Sequence, residues 1–118
     1  QWQQNGEWVL KSYLASNRDV VVRVERALAD AMKFYFTQKE KTIAHLVEFL
    51  GTSREDTEYS YNAYAAWADK NPRPKLDAMK NTLQAISRTT PAALKADPAS
   101  FIDTGIVDQL LKEGYFKY

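Results

Sequence analysis

The sequence is poor in the residue types that most often carry chemistry. It has no cysteine and a single histidine, His45, among 118 residues. Without cysteine there is no disulfide and no thiolate metal site, and the redox compartment stays undecided. A lone histidine cannot form a standard zinc site, and it could act as a general base only with a partner that the sequence does not identify. We therefore expect no cofactor and no catalytic residue, and we interpret His45 as a surface or half-buried structural residue.

Strong net charge and long apolar runs are also missing. Sixteen basic and fifteen acidic residues leave a formal charge of +1. No basic cluster stands out, so a nucleic-acid partner is not expected. No run reaches the roughly 18 apolar residues of a membrane span. Four glycines and four prolines are few, which suits a helical chain with short connections.

The residues that are present predict one helix after another. The longest, Arg18–Thr37, follows the cap residue Asn17. Three consecutive valines favour a strand locally, but the helical period extends over twenty residues and outweighs them. The side chains expected to face inward recur at spacings of three and four: Val20, Val21, Val24, Leu28, Ala31, Met32 and Tyr35.

Start and stop signals divide the rest of the chain. Gly51 ends a helix over residues 38–50, and Ser53 caps another whose first turn holds Glu55 and Asp56, where the helix dipole favours negative charge. The carboxylates at 55, 56 and 58 are interpreted as caps. Further helices are expected over 7–15, over 76–89 after two prolines, and over a final segment that Gly114 ends. No stretch alternates like a strand. We predict an all-α fold of five or six helices in a single domain, 1–118.

Aromatic side chains are concentrated in the helix that follows Ser53. They are Tyr59, Tyr61, Tyr64 and Trp67. One interpretation is packing against neighbouring helices, another is a face that meets a second domain or subunit, and a third is direct stacking on a ligand. We predict that at least two of Tyr61, Tyr64 and Trp67 are buried, against the long helix or against another copy.

The order of these elements resembles the C-terminal part of the periplasmic substrate-binding proteins of the nitrate, sulfonate and taurine type of ABC transporter. The thiamine-pyrimidine synthases share that fold. The likeness extends over about residues 13–116. The stretches that carry it are YLASNRDVV at 13–21, RAL at 26–28, KEKTI at 39–43, FLG at 49–51, SRED at 53–56, Pro72 and Pro74, LQ at 83–84, FIDT at 101–104 and GYF at 114–116.

The resemblance implies a two-lobed protein with its ligand in the cleft between two α/β lobes. The present chain would then be mainly the helices that complete the first lobe, without the N-terminal half and most of the ligand-contacting residues. No binding residue of the family is carried over. Trp2 and Trp8, which precede the long helix, are the candidates for ligand contact. The expected partners are the missing N-terminal lobe, an ABC permease and a small molecule such as a sulfonate or nitrate, in the periplasm or anchored at the cell surface.

Two alternatives stay open. The chain could belong to an enzyme like the thiamine-pyrimidine synthases, whose cysteine-rich site and substrate histidine would lie in the N-terminal half. It could also be an unrelated helical interaction domain. We prefer the receptor because transport receptors are more numerous. The sequence starts without methionine or a secretory signal, so we expect an excised or processed piece. Its helices would keep uncovered apolar faces and self-associate.

Overall fold

A computed structural model of the chain describes residues 6–118 as helices joined by short connections. Within that range there is no strand, which confirms the all-α prediction. Arg18–Thr37 is the longest helix, with the predicted bounds. The six α-helices are α1 (Lys11–Ser16), α2 (Arg18–Thr37), α3 (Lys39–Leu50), α4 (Arg54–Trp67), α5 (Leu76–Ile86) and α6 (Gly105–Glu113), and two 3₁₀ helices, Pro91–Lys95 and Pro98–Phe101, lie between α5 and α6.

Local signals account for three of the helix ends. Ser53 caps α4, since its Oγ accepts a hydrogen bond from the Asp56 backbone N–H at 3.1 Å. Gly51 ends α3 with φ at 65°, and Gly114 follows α6 with φ at 85°, in the left-handed region that favours glycine. The predicted helix over 76–89 is three residues too long, because the chain turns after Ile86. The predicted helix over 7–15 starts only at Lys11, after an extended Leu10.

The described chain divides into two compact units, and α2 and α6 contribute residues to both. The first unit comprises residues 6–22 and 72–109. Its core consists of Met79, Leu83 and Ala93, with two partly buried apolar side chains packed against them. Arg73 binds Asp108 through two nitrogens, Nε at 2.7 Å and Nη2 at 3.5 Å, which ties the loop between the two prolines to α6.

The second unit comprises residues 23–71 and 110–118. Ile43 of α3 and Leu110 of α6 are its most completely buried large side chains, and Tyr61 of α4 is buried as well. The Arg26 guanidinium contacts Glu113 at 3.1 Å and lies over the ring of Tyr115. This unit also contains the aromatic side chains that the sequence singles out.

The apolar side of α2 is placed differently from the prediction. Val24, Leu28 and Ala31, expected to face inward, are exposed, and Ala29 is the buried residue of the helix. At about 100° per residue, Ala29 lies about 140° around the helix from Val24. The half-buried side therefore holds Glu25 and Arg26, and the predicted inward face was wrong for the middle of α2.

Candidate functional site

Six aromatic side chains of the second unit touch one another in a connected series. They come from α2, from α4 and from the chain end, and we call them the aromatic cluster: Tyr35, Phe36, Tyr61, Tyr64, Trp67 and Tyr118. The cluster includes three of the residues that the sequence nominates, Tyr61, Tyr64 and Trp67.

Tyr35 and Tyr61 form the inner pair of the cluster. Their rings are stacked, with centroids 4.7 Å apart and planes inclined by 26°. The Tyr61 hydroxyl donates a hydrogen bond to the Tyr35 carbonyl at 2.8 Å, and the Tyr35 hydroxyl points back at the Tyr61 carbonyl at 3.5 Å. Tyr61 is only 6% exposed. This pair fixes the contact between α2 and α4.

Tyr64 and Trp67 form the outer part. Tyr64 meets Tyr35 edge to face at a centroid distance of 5.4 Å, and Trp67 meets Tyr64 in the same manner at 5.1 Å. Tyr64 is 47% exposed and Trp67 is 75% exposed. Of the three nominated aromatics, only Tyr61 is therefore buried within the chain. The prediction that at least two of them are buried was wrong for packing inside one copy. Contact with another copy stays a prediction.

The helical period gives the physical reason. At about 100° per residue, Tyr64 lies about 60° around α4 from Tyr61, and Trp67 lies about 120° away. The side of α4 that packs inward carries Thr57 and Tyr61, both buried, and the half-buried Ala65. Tyr64 stands at the edge of that side, and Trp67 is beyond it.

A second branch of the cluster involves residues that the sequence reasoning did not nominate. Phe36 touches Tyr35 edge to face at 5.3 Å and stacks on Tyr118 at 6.0 Å. The Lys70 ammonium lies over both rings of this stack, 5.4 Å from the Phe36 centroid and 5.9 Å from the Tyr118 centroid. The adjacency of Tyr35 and Phe36 is the only local signal that could have indicated it.

Charge and burial shift several pKa values around the cluster. Burial raises the pKa of Tyr35, and ionised Tyr61 and Tyr64 would raise it further by repulsion. Burial also raises the pKa of Tyr118. Lys39 lies 5.8 Å from the Tyr61 ring centroid and binds Glu58 at 2.9 Å. That hydrogen bond and the lysine charge lower the pKa of Glu58. The phenols of Tyr35 and Tyr118 therefore stay protonated at neutral pH.

The other nominated residues lie outside the cluster. Trp8 is 70% exposed in the stretch before α1, and Trp2 lies outside the described residues. His45 is exposed, one of the two positions expected for it, and its ring centroid lies 6.0 Å from that of Phe34. Glu55 and Asp56 occupy the first turn of α4, as expected for capping carboxylates.

Residues 6–118 contain neither a cluster of metal ligands nor a helix suited to a membrane. No three histidine, cysteine, aspartate or glutamate side chains there come together as a metal site. None of the helices in this range combines the length and the hydropathy needed to cross a bilayer. What the aromatic cluster offers chemically is stacking, cation–π contact and one-electron oxidation of its phenols and indole.

Comparison of the chain with protein-family models, with curated proteins and with solved structures found no match.

Proposed function

We propose that this chain is the C-terminal helical part of a solute-binding receptor that delivers a small molecule, such as a sulfonate or nitrate, to an ABC importer. In that role the helices cover the sheet of one lobe and carry no catalytic group. The ligand site belongs mainly to the rest of the receptor, the ABC permease is the downstream partner, and the location is the periplasm or the cell surface. The order of helices from about residue 13 to residue 116 supports the proposal by resemblance.

The observation that carries the proposal is the amount of apolar surface left uncovered. Sixteen large hydrophobic side chains of the described residues are exposed, against ten buried hydrophobic residues, of which three are alanine. Single exposed apolar residues are ordinary, but contiguous exposed apolar faces usually meet a partner. A helical layer built to cover a sheet would have such faces.

Helix α2 is the clearest case. Val24, Leu28 and Ala31 recur at spacings of four and three along its exposed side. A stripe of this kind normally faces a core. In the proposed receptor it packs on the sheet, and Val24, which is 49% exposed in this chain, becomes buried.

The coding sequence upstream of this chain provides the first test. A secretory or lipoprotein signal followed by alternating strands and helices is expected. A cysteine-rich site with a substrate histidine would instead indicate an enzyme like the thiamine-pyrimidine synthases. If the upstream sequence contains neither feature, an unrelated helical interaction domain is the interpretation that is left.

Ligand binding provides the second test. Calorimetric titration of the isolated chain with nitrate, taurine, alkanesulfonates and thiamine-pyrimidine precursors should give no binding tighter than millimolar, because converging polar groups from the rest of the receptor are needed. The complete protein should bind one of the anions tightly. Micromolar binding by this chain alone would contradict the proposal.

A substitution in two contexts tests the packing directly. At concentrations where the isolated chain is monomeric, Val24→Glu should change its unfolding free energy by no more than about 0.5 kcal/mol, as for an ordinary surface change. In the complete protein it should cost several kcal/mol, because an unpaired carboxylate would be buried. The matched control is Gln84→Glu on exposed α5 surface, which should be mild in both contexts. Equal effects of Val24→Glu in both would argue against a covering role.

A further inference from the structure

The outer part of the aromatic cluster joins two oxidisable side chains at the surface. Trp67 is the more exposed, and the edge-to-face contact with Tyr64 leaves 5.1 Å between the ring centroids. Electrons pass between aromatic rings at this separation without an intermediate group. Indole loses an electron readily to small inorganic radicals, and the neutral indolyl radical is a slightly stronger oxidant than the phenoxyl radical near neutral pH. A transfer from Tyr64 to oxidised Trp67 is therefore both short and downhill.

We infer that Trp67 and Tyr64 form a relay for one-electron oxidation, in which Trp67 is oxidised first by a small inorganic radical and Tyr64 holds the resulting radical. The inference is independent of the proposed function. In the first step Trp67 gives one electron to the oxidant, which becomes its anion, and the indole N–H proton goes to water. In the second step Tyr64 gives an electron to the indolyl radical. Its phenolic proton goes to water, and the indole nitrogen regains a proton from water.

The inner pair explains why the radical stays on Tyr64. A tyrosine that is oxidised must lose its phenolic proton to an acceptor. The Tyr61 hydroxyl donates to a backbone carbonyl, and the Tyr35 hydroxyl faces another, and a carbonyl oxygen does not accept a proton near neutral pH. Tyr61 is buried, and Tyr35 is half-buried between α2 and α4. Tyr64 is 47% exposed and can release its proton to water.

A radical on an exposed tyrosine has a defined fate. Phenoxyl radicals of two copies couple through a ring carbon of each to form a dityrosine bond, and each ring then loses the hydrogen from that carbon as a proton. Tyr64 is thus assigned as a modification site under one-electron oxidation. Tyr59, on the same helix and 76% exposed, lies eight residues before Trp67, about 12 Å along the helix axis. More exposure alone would favour Tyr59, whereas the relay favours Tyr64.

Pulse radiolysis with azide radicals tests the relay. The protein would carry Trp2→Phe and Trp8→Phe, so that Trp67 is the only indole. The indolyl absorbance should decay as the phenoxyl absorbance rises, at a rate that does not depend on protein concentration. Tyr64→Phe should slow this conversion by at least an order of magnitude. Tyr59→Phe and Tyr35→Phe, the matched controls, should change it less than twofold.

A conversion rate proportional to protein concentration, or one unchanged by Tyr64→Phe, would overturn the relay. Far-ultraviolet circular dichroism checks that each variant keeps its helices. If Tyr64→Phe does not fold, peptide mapping of the oxidised chain without that substitution decides. Dityrosine at Tyr64 supports the relay, and dityrosine mainly at Tyr59 overturns it.

Discussion

Two tyrosines only three positions apart on α4 have very different surroundings. Tyr61 is buried, stacks on Tyr35 and donates a hydrogen bond to its carbonyl, whereas Tyr64 keeps about half of its surface in water. The pattern of aromatics in the sequence could not separate them, because both lie within a helical stripe that is wide enough to face a core. How deeply each tyrosine is buried depends on where α2 supplies a ring for it to pack against.

Truncation should reveal this difference. Tyr61→Ala should lower the unfolding free energy by about 3 kcal/mol or more, since a large buried ring leaves a cavity and a hydrogen bond is lost. Tyr64→Ala should cost about 1 kcal/mol, the value of its edge-to-face contacts. Urea unfolding of both variants checks the order, with Tyr59→Ala as the exposed control at no more than about 0.5 kcal/mol. Equal costs for Tyr61 and Tyr64 would contradict the observed packing.

Alkaline pH should destabilise the chain through two half-buried phenols, those of Tyr35 and Tyr118. The pKa of Tyr35 and that of Tyr118 are raised mainly by burial, so the folded state keeps its protons where the unfolded state loses them. This contribution to stability is complete below about pH 10, the ordinary tyrosine range, and is lost as pH rises through the folded pKa values. Urea unfolding from about pH 8 to about pH 11 should show the decline. Tyr35→Phe should make it shallower, and an unchanged slope in that variant would refute the assignment.

At the scale of single helices, the sequence predicts ends better than faces. The bounds of α2 were predicted to the residue, and Gly51 and Ser53 act as stop and cap where expected. These signals are local, since a cap or a left-handed glycine acts on its own turn. The prediction of the inward face of α2 was wrong. An apolar stripe shows which side of a helix could be covered, but it does not show whether another part of the same chain covers it.

The Ser53 cap gives a test at this scale. Ser53→Ala removes the acceptor for the Asp56 N–H and should lower the unfolding free energy by about 1 kcal/mol. Ser60→Ala, in the middle of the same helix, is the matched control. It should be neutral or slightly stabilising, because alanine is the better helix former. Thermal unfolding followed by circular dichroism would measure both, and a loss with Ser60→Ala as large as with Ser53→Ala would refute the cap assignment.

For the whole molecule, the sequence predicted the all-α class but not the aromatic cluster. The class follows from periodicity summed over long segments, which needs no knowledge of neighbours. Phe36, Lys70 and Tyr118 are far apart in sequence, and only the tertiary fold brings them together. The likeness to the solute-binding proteins stays a prediction.

Uncovered apolar side chains should also make the isolated chain self-associate. Phe49, 85% exposed at the end of α3, and the exposed side of α2 would both gain by contact with a second copy. Sedimentation over a range of concentrations should give masses that rise above 13.5 kDa. Val24→Glu should weaken the association, and Gln84→Glu should not. A monomer at every concentration would show that the exposed faces tolerate water.

The outward apolar side of α2 has a consequence for heat capacity. Unfolding raises heat capacity because it brings apolar surface into water, and surface that is wet in the folded state adds nothing. The exposed parts of Val24 and Leu28 are already in contact with water in the folded chain. Differential scanning calorimetry of the isolated chain should give a heat-capacity change below the usual range of about 12–15 cal/mol/K per residue. The curve of unfolding free energy against temperature would then be less strongly curved, because the unfolding enthalpy would change less with temperature.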